Sequence, residues 1–217
     1  MISEQKKCIF IHIPKCAGSS VKNLLRGHNK LQFEKDDWHY TIEQLNNYLI
    51  NNGKELDSYF TFCLTRNPFD RFVSAFSYTV DKILDKDDYH WNHYKYSYEI
   101  IEKHIFPSDK INSFRNFVKH ADFRHLFYNN KLPIHFKKQY DFISVNDKII
   151  IDHVGKVESI QDSFNLIASK LNIQSSYSHV NQSSHNSYKN FYDSETSQII
   201  REAYDSDFYN LGYRKTI

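Results

Sequence analysis

"KKCIFIHIPKCAGSSVKNLL" (residues 6–25) runs from an apolar segment through a proline, a lysine and a string of small residues into a helical pattern. Residues 8–13, Cys-Ile-Phe-Ile-His-Ile, are rich in β-branched and aromatic side chains, which suits a strand buried on both faces of a parallel sheet. Pro14 ends that strand. Val21, Leu24 and Leu25 then recur at helical spacing, Ser19 or Ser20 is placed to cap, and Gly27 comes next as a stop signal. The order is strand, loop, helix. A loop of this kind presents backbone N–H groups and the positive end of a helix dipole, so Pro14 through Ser20 make a natural anion holder.

The loop does not match the triphosphate cradle G-x-x-x-x-G-K-[ST], in which lysine directly precedes the hydroxyl residue. Here Lys15 precedes Gly18, and Ser19 comes after the glycine without a cation between them. A magnesium-bound nucleoside triphosphate, and with it a P-loop kinase, is therefore disfavoured. A lysine at the entrance is suited instead to a bridging oxygen between a phosphate and a group in transfer.

A second segment, "FTFCLTRNPFDRFVSAFSY" (residues 60–78), repeats the pattern of buried strand into helix. Asn67 as N-cap with Pro68 at the first helical position is a strong start, and Phe69, Phe72, Val73, Phe76 and Val80 recur at helical spacing as core positions. Arg66 stands at the strand end, where a guanidinium fork grips phosphate in bidentate fashion, and Ser74 lies about two turns into the helix. Two separate anion-binding features suggest a ligand with two phosphate groups. Arg71 reads as structural, and Cys8 and Cys63 as strand packing.

Outward from these segments, Thr41 and Gln44 form a capping-box pattern before Ile42, Leu45 and Leu49, with Gly53 as the stop. Residues 82–138 read as mostly helical and aromatic. Short strands are expected at 141–145, 148–151 and 153–157, a helix over 158–171, and a last helix over about 193–210 that starts at an Asp193 cap. Strands alternating with helices argue for an α/β fold, a P-loop-like three-layer domain with a central mostly parallel sheet flanked by helices. Ligands collect beyond the carboxyl ends of such strands, where both motifs lie.

Lys and Arg number 28 against 26 Asp and Glu, so the net charge of +2 gives no reason to expect a nucleic-acid partner. The 217 residues suit a single domain, 1–217. Three cysteines without metal-type or disulfide-scaffold spacing fit a reducing compartment. The first apolar run is too short for a signal-peptide core or a transmembrane span. His90 and His93 lack a nearby cysteine or carboxylate at ligand spacing, so no metal is expected.

The pair "FIHIPKCAGSS" and "FTFCLTRNPFDRFVSAFSY" resembles the two cofactor-binding signatures of the sulfotransferase family 2 group, which is similar to carbohydrate sulfotransferases that use 3'-phosphoadenosine 5'-phosphosulfate (PAPS). "DHVGKVESI" (residues 152–160) is similar to the family's Asp-x-x-Gly-[Arg/Lys]-x-Glu segment, and "HVNQSSHNSYKNFYD" through "LGY" resembles its C-terminal stretch. The resemblance implies that Lys15, Cys16, Ala17, Gly18, Ser19 and Ser20 form the 5'-phosphosulfate loop, with Lys15 on the bridging oxygen. It implies that Arg66 and Ser74 bind the 3'-phosphate. His39, in Trp-His-Tyr-Thr, matches the place of the catalytic histidine, and Asn181, Ser183, His185 and Tyr188 match C-terminal positions, read as closing over the cofactor. Cys16 is the departure, since threonine is commoner there.

The expected activity is sulfuryl transfer from PAPS to a hydroxyl of a carbohydrate or other acceptor, with the 82–138 region as the acceptor-binding part. Lys15 and His39 would be catalytic: His39 as general base, an imidazole with an ordinary pKa near ~6.5, and Lys15 against charge on the leaving bisphosphate. The competing reading is a catalytically silent nucleotide-binding or regulatory module. Without the membrane anchor and lumenal disulfides that the family's Golgi enzymes carry, a cytoplasmic, bacterial protein is expected.

Overall fold

In the computed structural model, residues 1–27, 39–86, 88–173 and 187–217 are described. The chain runs through β1 (Ile2–Ser3), β2 (Cys8–Ile11), α1 (Gly18–Gly27), α2 (Ile42–Asn51), β3 (Phe60–Thr65), α3 (Pro68–Leu84) and α4 (Asp88–Glu102). It continues through α5 (Lys110–Lys119), α6 (Ala121–Tyr128), α7 (Tyr140–Ile143), β4 (Ser144–Val145), β5 (Lys148–Ile149) and β6 (His153–Lys156). Then come α8 (Ile160–Leu171), α9 (Ser194–Ala203) and α10 (Asp205–Asn210). The chain divides into two compact units: residues 1–66 with 139–183, and residues 67–138 with 184–217.

The first unit holds the sheet. Among the described residues it has four strands in the order β1-β2-β3-β6. Strands β2, β3 and β6 are parallel and β1 pairs antiparallel with β2, so the fold is mixed α/β with a central, mostly parallel sheet flanked by helices. Every side chain of β2 is buried, the signature of a strand covered on both faces. Asp152 sets the register of β6 on β3: its carboxylate accepts from the Thr61 backbone N–H at 2.7 Å and from the Thr61 hydroxyl at 2.8 Å. The Thr41 capping box forms with both of its hydrogen bonds, and Gly53, at φ +67°, ends the turn after α2 in the left-handed region.

Three boundaries differ from the sequence reading. Residues 141–145 do not form one strand: Tyr140–Ile143 is a helical turn that buries Tyr140, Phe142 and Ile143 together, which an alternating strand does not do. The short strands β4 and β5 pair only with each other, across Asn146 and Asp147 at φ +50° and +56°, the backbone of a primed hairpin turn. The last helix breaks at Tyr204 into α9 and α10.

The second unit is built on the aromatic face of α3. Asn67 caps that helix, its Oδ1 accepting from Phe69 N–H at 3.0 Å, with Pro68 at the first position. Phe72 meets Phe114, Phe123, Phe136 and Tyr204 edge-on, with centroids 5.2–5.8 Å apart, the geometry ring quadrupoles prefer. Arg71 is 2 % exposed and donates from Nη2 to the His135 carbonyl at 3.0 Å, so it is a structural cation, as its position suggested. Among the described residues no helix is long and apolar enough to cross a membrane.

Asp193 starts α9 with a reciprocal cap to Thr196 and an ion pair to Lys119 at 2.8 Å. Burial pushes its carboxyl up, but the hydrogen bonds from Lys119 and Thr196 outweigh it and bring the pKa down to about 2. A depressed folded-state pKa stabilises the fold above the ordinary carboxylate value and is lost as pH falls towards about 2. Asp193→Ala is expected to lose about 1 kcal/mol in urea unfolding at neutral pH. The gap from wild type should close as pH drops from 4 to 2, and Asp193→Asn, which keeps the cap, should lose less.

Candidate active site

Strand β2 delivers the chain to Pro14, and the loop beyond it turns back on itself through two residues in left-handed backbone conformation, Lys15 at φ +65° and Ala17 at φ +57°. Left-handed residues so close in sequence turn backbone N–H groups towards one side, the arrangement called a nest, which holds anions. Helix α1 begins at once: the Ala17 carbonyl accepts from Ser20 and Val21 N–H at 3.0 and 3.1 Å. The first turn of α1 therefore carries Gly18, Ser19 and Ser20 at the positive end of the helix dipole. Ser19 is exposed, Lys15, Ala17 and Ser20 are half-buried, and Gly18 is buried.

Gly18 is required by a close approach. A Cβ there would stand 1.8 Å from Nε2 and 2.2 Å from Cδ2 of His12, so the imidazole occupies the space a side chain would need. His12 also receives His39. The His39 Nδ1 lies 2.8 Å from the His12 carbonyl oxygen, and the two rings approach to 4.4 Å between centroids. A carbonyl only accepts, so His39 Nδ1 carries the proton and Nε2 is the basic nitrogen of the ring. The backbone of the strand end thus selects the tautomer of His39 and sets the ring beside the start of the loop.

Cys16 answers differently from its neighbours. It is 1 % exposed, and its thiol donates to Oε1 of Gln139 at 3.2 Å, so its side chain is turned inward. Gln139 is fully buried and grips Arg66 at the end of β3: its Oε1 accepts from Arg66 N–H at 2.9 Å and its Nε2 donates to the Arg66 carbonyl at 2.8 Å. Arg66 reaches back in turn, Nη1 lying 3.4 Å from the Lys15 carbonyl. One amide therefore ties the loop of the first motif to the strand end of the second and brings Lys15, Cys16 and Arg66 into one neighbourhood within the first unit, while His39 is held by the His12 carbonyl.

Ser74 belongs to the second unit, half-buried on α3. Asn181, Ser183 and His185 lie outside the described residues. Tyr188 is half-buried in a 3-10 turn, Tyr188–Phe191, of the second unit. The sequence reading missed His12 and Gln139. His12 carried a signal, as a polar residue inside an apolar strand run just before the loop; Gln139 sits in a stretch with no motif at all. The cavity of about 590 Å³ lined by Tyr59, Phe60, Asp152, His153 and Lys170 opens at the amino ends of β3 and β6, the end of the sheet away from the loop.

The two remaining thiols are sheet packing. Burial pushes Cys8 up to about 12 and Cys63 well above the ordinary thiol range, which leaves them inert.

Gln139→Ala strips the Arg66 backbone and the Cys16 thiol of buried partners and is expected to cost about 1–3 kcal/mol in urea unfolding. Cys16→Ser, whose hydroxyl also donates, should be close to neutral, and Cys16→Val should not.

The sequence profile that the chain matches is described as Sulfotransferase family, and the match covers residues 1–214. Searches of curated proteins and of solved structures return no match. With a match over residues 1–214 and a mostly parallel sheet whose first loop turns through two left-handed residues into a helix, the protein belongs to the sulfotransferase family.

Proposed function

We propose that the protein transfers a sulfuryl group from PAPS to a hydroxyl, with a carbohydrate as the acceptor class. The observation that supports the reading is the joining of the Lys15 loop to Arg66 through Gln139, which sets the two motifs side by side at the carboxyl ends of β2 and β3. A nucleotide with a phosphosulfate at one end and a second phosphate at the other has the charge pattern such a pair accepts.

The nest at Lys15 and Ala17 fits the 5' side of this donor, and the Gly18 close approach leaves the first turn of α1 with its backbone as the binding surface. When bound, PAPS supplies an activated sulfuryl group on a stable bisphosphate leaving group. The chain's own residues do the rest. The backbone N–H groups of residues 17–20 and the Ser19 and Ser20 hydroxyls hold the 5' group. The Lys15 ammonium stabilises negative charge growing on the departing oxygen. Arg66 holds the 3'-phosphate; the resemblance adds Ser74 as a further contact to that group, and Ser183 and His185, which lie outside the described residues, as cofactor-binding positions.

His39 acts as general base through Nε2, because the His12 carbonyl keeps the proton on Nδ1. It takes the proton of the acceptor hydroxyl as the acceptor oxygen bonds to sulfur. The transferred group carries less charge than a phosphoryl group, so positioning and a single cation suffice where phosphoryl transfer needs more. The helical and aromatic segment 82–138, in the second unit, is assigned to the acceptor, since aromatic faces and hydroxyls suit sugar rings.

Incubation with PAPS and a panel of glycans is expected to release adenosine 3',5'-bisphosphate and to add one sulfuryl group to the mass of an acceptor. His39→Ala should lower kcat by on the order of 10²–10⁴ while nucleotide affinity holds, and Lys15→Ala by on the order of 10²–10³. Nucleotide binding without turnover on any acceptor, in wild type and His39→Ala alike, would instead identify a regulatory module.

A further inference from the structure

His104, His120 and Asp122 come together on the second unit. One ligand atom from each lies within 4.8 Å of the other two. His104 comes just after the end of α4 and is buried; His120 is the single residue between α5 and α6, and Asp122 stands in the first turn of α6. Both imidazoles aim at the same carboxylate oxygen, His104 Nε2 at 2.9 Å and His120 Nδ1 at 3.2 Å.

The contact at His120 is contradictory for a neutral side chain. Its Nδ1 accepts from the Asp122 backbone N–H at 3.2 Å, capping α6, which places a lone pair there. Asp122 Oδ2, itself only an acceptor, lies 3.2 Å from the same nitrogen. Two acceptors at this distance repel unless a cation lies between them. A proton on His120 is one such cation, at the expense of the helix cap; a metal ion gathered by all three groups is the other.

Three further features favour the metal. The 3.2 Å spacing at His120 is near the ligand-to-ligand edge of a tetrahedral centre with metal–ligand bonds of about 2.0–2.2 Å, and the 2.9 Å spacing at His104, a hydrogen-bond length, has only to open by a few tenths of an ångström to admit the ion. Asn116 lies behind His104, its side-chain nitrogen 3.3 Å from His104 Nδ1. Turning that amide by half a rotation presents its carbonyl to an Nδ1–H, which leaves Nε2 as the donor to a metal, the usual outer support of a ligating histidine. The cluster also stands beyond the carboxyl ends of α4 and α5, two helix termini that attract cations, against one amino end, that of α6, which Asp122 itself offsets.

We propose that His104, His120 and Asp122 form a three-ligand site for a divalent transition-metal ion, zinc in the first place, that clips the end of α4 to the α5–α6 corner. Two neutral imidazoles and one carboxylate are the ligand set zinc prefers over magnesium or calcium, which take oxygen. The exposed edge at His120 is the way in. Rings of this corner pack on the aromatic core, His104 lying 5.7 Å from Phe117 between centroids, so the ion braces the core of the second unit.

The test uses the full chain without a histidine tag, stripped with chelator and titrated with zinc chloride by calorimetry, with thermal unfolding measured in parallel. One zinc per chain and a rise in Tm of several degrees at saturating metal are expected. His120→Asn, which preserves the helix cap, and Asp122→Asn should abolish both effects while leaving the Tm of the stripped protein near that of wild type. Asn116→Ala should weaken zinc binding by roughly 10–100-fold. No stoichiometric uptake by the wild-type chain, or uptake that both His120→Asn and Asp122→Asn leave unchanged, would overturn the site.

Discussion

A buried primary amide must place both its oxygen and its nitrogen in hydrogen bonds or cost the fold on the order of 1–3 kcal/mol. Gln139 meets that demand on the backbone N–H and carbonyl of Arg66 and on the thiol of Cys16. The consequence is geometric. The loop after β2 and the strand end after β3 are fixed with respect to each other by a group that is itself immobile, so Lys15 and Arg66 present their charges from a rigid base. Preorganisation of this kind is what allows fixed donors to stabilise developing charge without rearranging at the moment of reaction.

The same constraint governs the histidine pair. The His12 carbonyl directs its acceptor capacity to His39 Nδ1, and the His12 ring fills the space over Gly18. One residue therefore sets the tautomer of the proposed base and forbids a side chain at position 18, the first residue of α1. Strand β2, buried throughout, is the rigid element from which both effects are projected.

Much of this was legible in the sequence because it is local. The buried run read over 8–13, of which the strand takes Cys8–Ile11, the Thr41 box, the Asn67-Pro68 start and the helical spacing of Phe69 through Val80 are each written within a few neighbouring residues. The mostly parallel sheet was legible from the alternation of strands and helices. Long-range contacts were not legible. Gln139 lies 73 residues from Arg66 and 123 from Cys16, and no periodicity marks it. That the Cys16 side chain turns inward is intelligible only once Gln139 is seen to accept from it. The 141–145 segment misled because a single helical turn and a short strand carry the same few apolar residues. His104, His120 and Asp122 escaped for the same reason as Gln139: the whole of α5 separates the first from the others in sequence.

In the proposed function, two anion-binding features built on Lys15 and Arg66 take the two phosphates of one nucleotide. Calorimetric titration with adenosine 3',5'-bisphosphate and with adenosine 5'-monophosphate, at one ionic strength and without magnesium, tests it most directly. A second charge-assisted contact corresponds to about tenfold or more in affinity, so the bisphosphate should bind tighter by at least that factor. Arg66→Ala should erase the difference. Equal binding of the two nucleotides, or displacement of the bisphosphate by magnesium-bound ATP at similar concentration, would contradict the account.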